Sequence, residues 1–144
     1  MAIKQISVFI ENKQGRLIAV TSCLAQNQVN ILALSAADTA DYGILRLIVD
    51  QPDLALAALK EAKFMVLETE VLGVATKDQP GGLNEALQVL EQEGINVDYI
   101  YAFFGHGSAA RNIFKVDDIP AAEAALTKAG LHLLTAEEAG SPLV

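Results

Sequence analysis

The chain has few cysteines, no basic clusters and no long apolar runs. Its 144 residues include a single cysteine, Cys23, so no internal disulfide can form, and a reducing, cytoplasmic location is expected. No apolar run is long enough to cross a bilayer. Residues 1–6 (MAIKQI) lack the charged-then-apolar order of a signal peptide. These absences favour a protein that works in the cytoplasm.

Positive charge is also scarce and scattered. The net charge is −8, and the ten lysines and arginines lie singly along the chain. Nucleic-acid binding needs a basic surface that neutralises phosphates, and an anionic membrane surface attracts a polybasic segment. We therefore expect neither nucleic acid nor membrane as a partner. Hydrophobic residues make up 52% of the chain, which is enough for packed cores and excludes a disordered protein.

The sequence motifs of common enzyme classes are missing as well. The chain has no H-E-x-x-H, G-x-S-x-G, C-x-x-C or phosphate-binding-loop pattern. His132 has no second histidine, cysteine or carboxylate at a spacing suited to share a metal ion with it. We therefore expect no catalytic residues, no metal and no cofactor.

The sequence does contain a repeat of about half its length. The segment 12–17 (NKQGRL) and the segment 78–83 (DQPGGL) each follow an apolar run and open a helix-like pattern. A shift of 66 residues carries Gly15 onto Gly81, and the same shift superposes the apolar faces of the two helices. Beyond the second hairpin the shift becomes 67, so the second copy holds one extra residue there. A repeat of this length is typical of a duplicated small domain.

Each copy has the periodicity of strand–helix–strand–strand–helix–strand. The predicted strands cover residues 3–10, 31–38, 42–49, 70–76, 97–104 and 110–116. The predicted helices follow the two Gly turns, Pro52 and, by the repeat, Asp117. Hairpin turns are expected at 39–41 and 105–108, and the run 65–75 is long enough for two strands joined with almost no linker.

This order of elements predicts an α+β fold. The right-handed crossover rule places both helices of a copy on one face of a four-stranded antiparallel sheet. We expect two tandem ferredoxin-like βαββαβ units at 1–68 and 69–138, followed by a C-terminal tail at 139–144. A unit of this size with one bare sheet face is only marginally stable alone. The other copy or a second chain is expected to cover the sheet faces and edges, so a homodimer is expected.

The turns and the strand order resemble those of ACT domains. In each copy a D/N-x-x-G-x-L turn follows the first strand, and Asn followed by Ile or Val begins the second. The residues that carry the resemblance are Asn12, Gly15, Leu17 and Asn30, and Asp78, Pro80, Gly81, Leu83 and Asn96. The resemblance covers almost the whole chain and is greatest to small stand-alone proteins made of two ACT domains. It implies a non-catalytic regulatory protein that binds a free amino acid at domain interfaces.

The chemistry of the turns agrees with that implication. The first N–H groups of a helix and the positive end of its dipole attract a carboxylate, and glycine lets a ligand approach the backbone. Asp78 is suited to an ammonium group and Arg16 to a carboxylate. The candidate ligand-binding residues are Asn12, Gln14, Gly15, Arg16, Leu17, Asn30, Asp78, Gln79, Pro80, Gly81, Gly82, Leu83 and Asn96.

Three other interpretations stay open. The turns could serve backbone geometry alone, since glycine and proline are the ordinary residues of turns. The chain could be a ligand-free subunit that docks a metabolic enzyme through an exposed sheet face. It could also be an acylphosphatase-like enzyme, because Gln14-Gly15-Arg16 resembles the phosphate loop of that ferredoxin-like family. The second copy speaks against the last of these, since it has Gly82 where the first has Arg16.

Overall fold

The computed structural model describes residues 2–38, 41–104 and 109–140. Backbone contacts divide the chain into two compact units, one of Lys4–Thr69 and one of Glu70–Val144 with Met1–Ile3. The predicted hairpin turn at 105–108, most of the one at 39–41 and the last four residues of the predicted tail lie outside the described residues. No helix within the described ranges has the length and apolar character needed to cross a membrane.

The first unit has the predicted order of elements. It comprises β1 (Ile3–Glu11), α1 (Arg16–Gln26), β2 (Ile31–Asp38), β3 (Tyr42–Val49), α2 (Pro52–Glu61) and the start of β4 (Met65–Lys77). The strands lie in the order β2-β3-β1-β4, with β3 antiparallel to both of its neighbours. Alternate residues of β1, such as Ile6 and Val8, point into a core that also contains Val20 of α1 and Leu59 of α2. The helices therefore cover one face of the sheet.

The second unit repeats this arrangement. It continues β4 and adds α3 (Gly82–Gln92), β5 (Val97–Ala102), β6 (Ala109–Val116), α4 (Ile119–Lys128), β7 (His132–Leu134) and α5 (Ala136–Gly140). The strand order is β5-β6-β4-β7. Leu72 and Val74 of β4 pack with Leu90 of α3 and Leu126 of α4. The α+β class and the ferredoxin-like order of strands are thus confirmed.

The run around residue 70 differs from expectation. Two strands were predicted there, and the structure has one unbroken strand of 13 residues, Met65–Lys77. The segment contains no glycine or proline before Gly73, so nothing in it favours a turn. One strand therefore serves as the last strand of the first copy and the first strand of the second.

Residues 139 and 140, the start of the tail predicted at 139–144, belong to the short helix Ala136–Gly140. Thr135 and Glu138 form a capping box, in which each side chain accepts a hydrogen bond from the other's N–H, at 3.0 and 3.1 Å. The Glu138 carboxylate also lies 2.7 Å from Nε2 of His132, and Ala139 is buried. The predicted tail therefore begins inside a short helix that packs on its own unit.

Candidate functional site

The first strand-to-helix turn is held by a short series of main-chain hydrogen bonds. Lys13 N–H donates to the carbonyl of Glu11 at 2.9 Å, and Arg16 N–H donates to the carbonyl of Lys13 at 3.4 Å. The helix then begins with the bond from Ala19 N–H to the Gly15 carbonyl at 3.1 Å. Together these bonds reverse the chain within four residues and direct the start of α1.

The second turn has the same three bonds at positions shifted by 66. Gln79 N–H donates to Lys77 at 2.9 Å, Gly82 N–H to Gln79 at 3.0 Å, and Glu85 N–H to Gly81 at 3.0 Å. The two turns keep these bonds although their sequences share only the glycine, the leucine and a short polar residue at the start. The repeat seen in the sequence is therefore also a repeat of main-chain geometry.

Glycine precedes the helix in both turns because the backbone is left-handed there. Gly15 has φ of 89° and Gly81 has φ of 84°. A Cβ added at either position would meet no atom within 4 Å. The requirement for glycine at these two positions comes from the dihedral angle, which other residues adopt at a cost. The open space at both also leaves the backbone accessible.

A close approach of the backbone occurs one residue later and only in the second turn. A Cβ on Gly82 would lie 1.9 Å from the carbonyl oxygen of Lys77, so no other residue fits there without a rearrangement. The matching residue of the first turn, Arg16, carries a side chain, and its N–H bond is longer, at 3.4 Å against 3.0 Å. The second turn is the tighter of the two.

Both turns present unpaired main-chain donors. The first bond within α1 comes from Ala19 and the first within α3 from Glu85. The N–H groups just before them, on Leu17, Ile18 and Leu83, precede the first carbonyl that an α-helix offers as a partner. Such donors, at the positive end of the helix, are suited to a carboxylate or another small anion.

A cleft of about 240 Å³ adjoins the first turn. Asn12, Arg16 and Leu17, three of the predicted residues, line it together with Asp38 of β2. Glu11 also faces the cleft and pairs with Lys13 at 2.9 Å, and the hydrogen bond from Lys13 lowers the pKa of the Glu11 carboxyl. The cleft therefore combines charged side chains of both signs, an amide and an apolar side chain beside the main-chain donors.

The cleft beside the second turn is larger, about 570 Å³, and has a different lining. Asp78 and Gln79 are the predicted residues that line it, and Lys77 and Glu85 lie beside them. His132 of β7 contributes on the far side. By the repeat, Asp78 takes the place that Asn12 has in the first cleft, so an acid that could meet an ammonium group replaces an amide.

Asn30 and Asn96 do not join the turn of their own unit. Asn30 N–H donates to the Asp50 carboxylate at 2.9 Å, and Asp50 N–H donates back to the Asn30 carbonyl at 3.1 Å. This pair lies at the end of β3, whereas Asn12 of the turn bonds Asp41 just before the start of β3, at 3.1 Å. The length of β3, Tyr42–Val49, separates the two places.

The second copy repeats this pairing at its own second strand. Asn96 N–H donates to the Asp117 carboxylate at 3.2 Å, and Asp117 N–H returns a bond to the Asn96 carbonyl at 3.2 Å. The Asn96 side chain donates to Asp98 at 2.8 Å. Neither Asp50 nor Asp117 was predicted to pair with an asparagine, although each follows a valine at equivalent positions of the repeat. Both asparagines have a structural role in pinning the start of the second strand.

In the described ranges no three His, Cys, Asp or Glu side chains lie close enough to hold a metal ion.

Comparison with known proteins identifies the family. The family description "ACT domain pair" matches residues 1–141, so the chain belongs to the ACT domain pair family. A search of curated proteins finds no match.

Solved structures add three useful relatives. A protein of Bacteroides thetaiotaomicron is 37% identical with a TM-score of 0.93, and the match covers 99% of this chain and 98% of that one. The regulatory subunit of aspartate kinase from Thermus thermophilus, in its ligand-free form, is 17% identical with a TM-score of 0.65, over 88% and 90% of the two chains. Its counterpart from Thermus flavus is 15% identical with a TM-score of 0.61, over 88% and 92%. The last two show likeness of fold.

Proposed function

We propose that the chain is a non-catalytic regulatory protein that binds a free amino acid at its two strand-to-helix turns. The observation that carries this proposal is the conservation of main-chain geometry between Asn12–Leu17 and Asp78–Leu83. Both turns keep a left-handed glycine and direct helix N–H donors outward, although most of their side chains differ.

Each turn supplies part of what an α-amino acid requires. The helix N–H groups are suited to the α-carboxylate, and the small main chain of Gly15 or of Gly81-Gly82 lets it approach. In the second turn Asp78, which lines the cleft with Gln79, would accept from the ammonium group, and Pro80 completes the loop. In the first turn Asn12 replaces the acid and Arg16 adds a second contact for the carboxylate.

A second copy of the chain is part of this proposal. Leu17 and Ile18 of α1 are 50% and 66% exposed, which favours association on that side of the first turn. Asn30 lies at the opposite end of β3 from Asn12. A site that uses both residues would therefore take Asn12 from one protomer of the dimer and Asn30 from the other. Ligand binding would then stabilise one packing of a homodimer, and the two equilibria would be coupled reciprocally. The proposed partner is a metabolic enzyme in the cytoplasm that binds only this packing of the dimer and is regulated by it.

A thermal-shift screen of the twenty amino acids tests the proposal. At millimolar concentration at least one of them should raise the melting temperature, because a ligand that binds only the folded state stabilises it by mass action. If none does so, the chain is better described as a ligand-free docking subunit. Hydrolysis of an acyl phosphate that is lost in Arg16→Ala would instead support the acylphosphatase interpretation.

Side-chain variants identify the turn that is used. Asp78→Asn should abolish the shift if the second turn binds the ammonium group, and Arg16→Ala should reduce it if the first turn binds the carboxylate. Glu91→Gln, at the far end of α3, removes the same charge as Asp78→Asn without touching a turn and serves as the control. A shift that survives both turn variants would place the ligand elsewhere.

A further inference from the structure

A second cleft in the first unit is lined by aromatic rings. It lies between the end of β1, the start of β3 and the loop after α2, has a volume of about 540 Å³, and includes Phe9, Tyr42 and Phe64. Phe9 is 36% exposed and Tyr42 is 63% exposed, whereas Phe64 is partly buried and also packs against the core of the unit. Three rings around one small space are suited to a flat apolar group.

Two cations border the same cleft. The guanidinium carbon of Arg16 lies 5.3 Å from the centroid of the Phe64 ring, a cation–π geometry that leaves the edge of the guanidinium available. Lys63 lies beside it. Among the ion pairs found in the described part of the chain, none includes Arg16 or Lys63. The acid that lines the cleft, Glu11, is paired with Lys13 at 2.9 Å.

The charge of Arg16 also lowers the pKa of the Glu11 carboxyl, but the hydrogen bond from Lys13 has the larger effect. In a chain with a net charge of −8, two cations beside one cleft and outside the ion pairs of the described residues are a local exception. Their charge is complementary to an anion, and the rings are complementary to a planar group. An aromatic carboxylate meets both conditions at once, since its ring can lie among the aromatic side chains while its carboxylate meets Arg16 and Lys63.

Lys63 also occupies a position that is unfavourable for lysine. Its φ is +69°, in the left-handed region, and the matching residue of the second copy is Gly130 with φ of +85°. These two positions are equivalent in their hydrogen bonding. Lys63 N–H donates to the carbonyl of Lys60, and Gly130 N–H donates to the carbonyl of Thr127. Retaining lysine here costs backbone strain that glycine avoids.

The matching cleft of the second unit lacks these features. By strand register and by the repeat, Phe9 corresponds to Ala75, Tyr42 to Ala109 and Phe64 to Leu131. These residues and Gly130 line that cleft, so it has neither the rings nor the equivalent of Lys63. The second copy keeps the scaffold and a cation, Lys77, but has none of the three rings around the cleft.

We propose that the cleft of Phe9, Tyr42 and Phe64, with Arg16 and Lys63 at its edge, binds a small aromatic carboxylate. This site goes beyond the amino-acid sites at the turns and needs no ammonium group. It shares Arg16 with the first turn, so a ligand here would also affect that turn.

Calorimetric titration of the full chain with 3-phenylpropanoate tests the proposal. One molecule should bind per chain, because only the first unit carries the rings. The amide 3-phenylpropanamide lacks the charge and propanoate lacks the ring, and each should bind about tenfold more weakly or worse. If 3-phenylpropanoate does not bind but an amino acid raises the melting temperature, only the cleft proposal is contradicted. If 3-phenylpropanoate binds but no amino acid raises the melting temperature, only the proposal of amino-acid sites at the turns is contradicted.

Two substitutions copied from the second unit sharpen the test. Lys63→Gly should raise the melting temperature of the free protein and weaken 3-phenylpropanoate binding by about tenfold. Phe64→Leu should weaken it to a similar extent. Gln28→Gly is the matched control: Gln28 also has a left-handed φ, of 58°, and its counterpart is Gly94, but it does not line the cleft.

Gln28→Gly should therefore raise the melting temperature and leave the affinity unchanged. Separate effects of Lys63→Gly on stability and on binding would support the proposal. It would be overturned by the absence of saturable binding at millimolar ligand, by equal affinity of Gln28→Gly and Lys63→Gly, or by binding that Phe64→Leu does not weaken.

Discussion

The two copies of the ACT unit share their main chain and differ in their side chains. The turn glycines have φ of 89° and 84°, the hydrogen bonds of the turns match one for one, and Asp50 and Asp117 hold Asn30 and Asn96 in the same way. The clefts beside this common frame are lined by aromatic rings in the first copy and by smaller or polar side chains in the second. The same main-chain geometry therefore accommodates different side chains in the two copies.

The left-handed positions show the same contrast. The second copy uses glycine at Gly94 and Gly130, whereas the first uses Gln28 and Lys63 at the matching places. At Gly82 the contrast is reversed, since the second copy cannot hold a side chain where the first holds Arg16. Each difference places two residue types at equivalent positions of the same fold. Exchanging them therefore measures how each position affects the free energy of unfolding.

The largest effect is expected at Gly82. Gly82→Ala should lower the free energy of unfolding by about 2–3 kcal/mol, because its Cβ would lie 1.9 Å from the Lys77 carbonyl oxygen and the turn must shift. Arg16→Ala, at the matching position, keeps a Cβ that the first turn already accommodates and should cost much less. Urea unfolding of both variants checks the difference, and equal losses would mean that the turns are equally tight.

A smaller and equal effect is expected at the two turn glycines. Gly15→Ala and Gly81→Ala should each cost about 1–2 kcal/mol, since alanine must adopt a left-handed φ in open space. The same urea experiment measures both. Losses that differ clearly between the two variants would contradict the claim that the turns share one backbone conformation.

Stabilisation is expected at the strained positions of the first copy. Lys63→Gly and Gln28→Gly should each raise the free energy of unfolding by about 0.5–1 kcal/mol. Glycine relieves the strain of a side chain in the left-handed region, and this gain exceeds the loss that comes from the greater entropy of glycine in the unfolded chain. The reverse changes, Gly130→Lys and Gly94→Gln, should lower it. Thermal denaturation of the four variants tests the exchange, and a loss in the first pair would show that the two side chains make stabilising contacts.

The smallest effect concerns α5, which only the second copy has. Hydrogen bonds from His132 and Thr135 hold the pKa of Glu138 below its ordinary value of 4.5. A carboxyl with a lowered folded pKa contributes stability above its unfolded pKa and loses it as pH falls through the folded value. The difference in melting temperature between the wild type and Glu138→Gln should therefore shrink below pH 4.5. A constant difference across that range would exclude this contribution.

Much of the frame could be predicted from the sequence because it depends on local patterns. Alternation predicted the strands, helical spacing predicted α1 and α3, and the shift of 66 related Gly15 to Gly81. The continuity of β4 could not be predicted in this way, since period alone does not distinguish one long strand from two short ones. The helix α5 was missed because its capping box, Thr135 to Glu138, precedes only five helical residues.

The candidate site was less accessible to sequence reasoning. The turns were found because glycine marks them, but the role of Gly82 depends on a distance to Lys77 that no pattern encodes. The left-handed Lys63 and Gln28 carry no signal of their own, although their alignment with Gly130 and Gly94 would have revealed them. The rings of Phe9, Tyr42 and Phe64 come from three separate segments, so only the fold brings them together.

The most direct test of the proposed amino-acid sites is a map of backbone amide shifts by NMR. Titration of the labelled chain with the amino acid found in the thermal-shift screen should perturb the N–H groups of Gly15–Leu17, of Gly81–Leu83 or of both more than any others. That outcome would show main-chain binding at the repeated turns. Amide shifts that leave both turns unchanged while the ligand saturates another surface would contradict the proposed function.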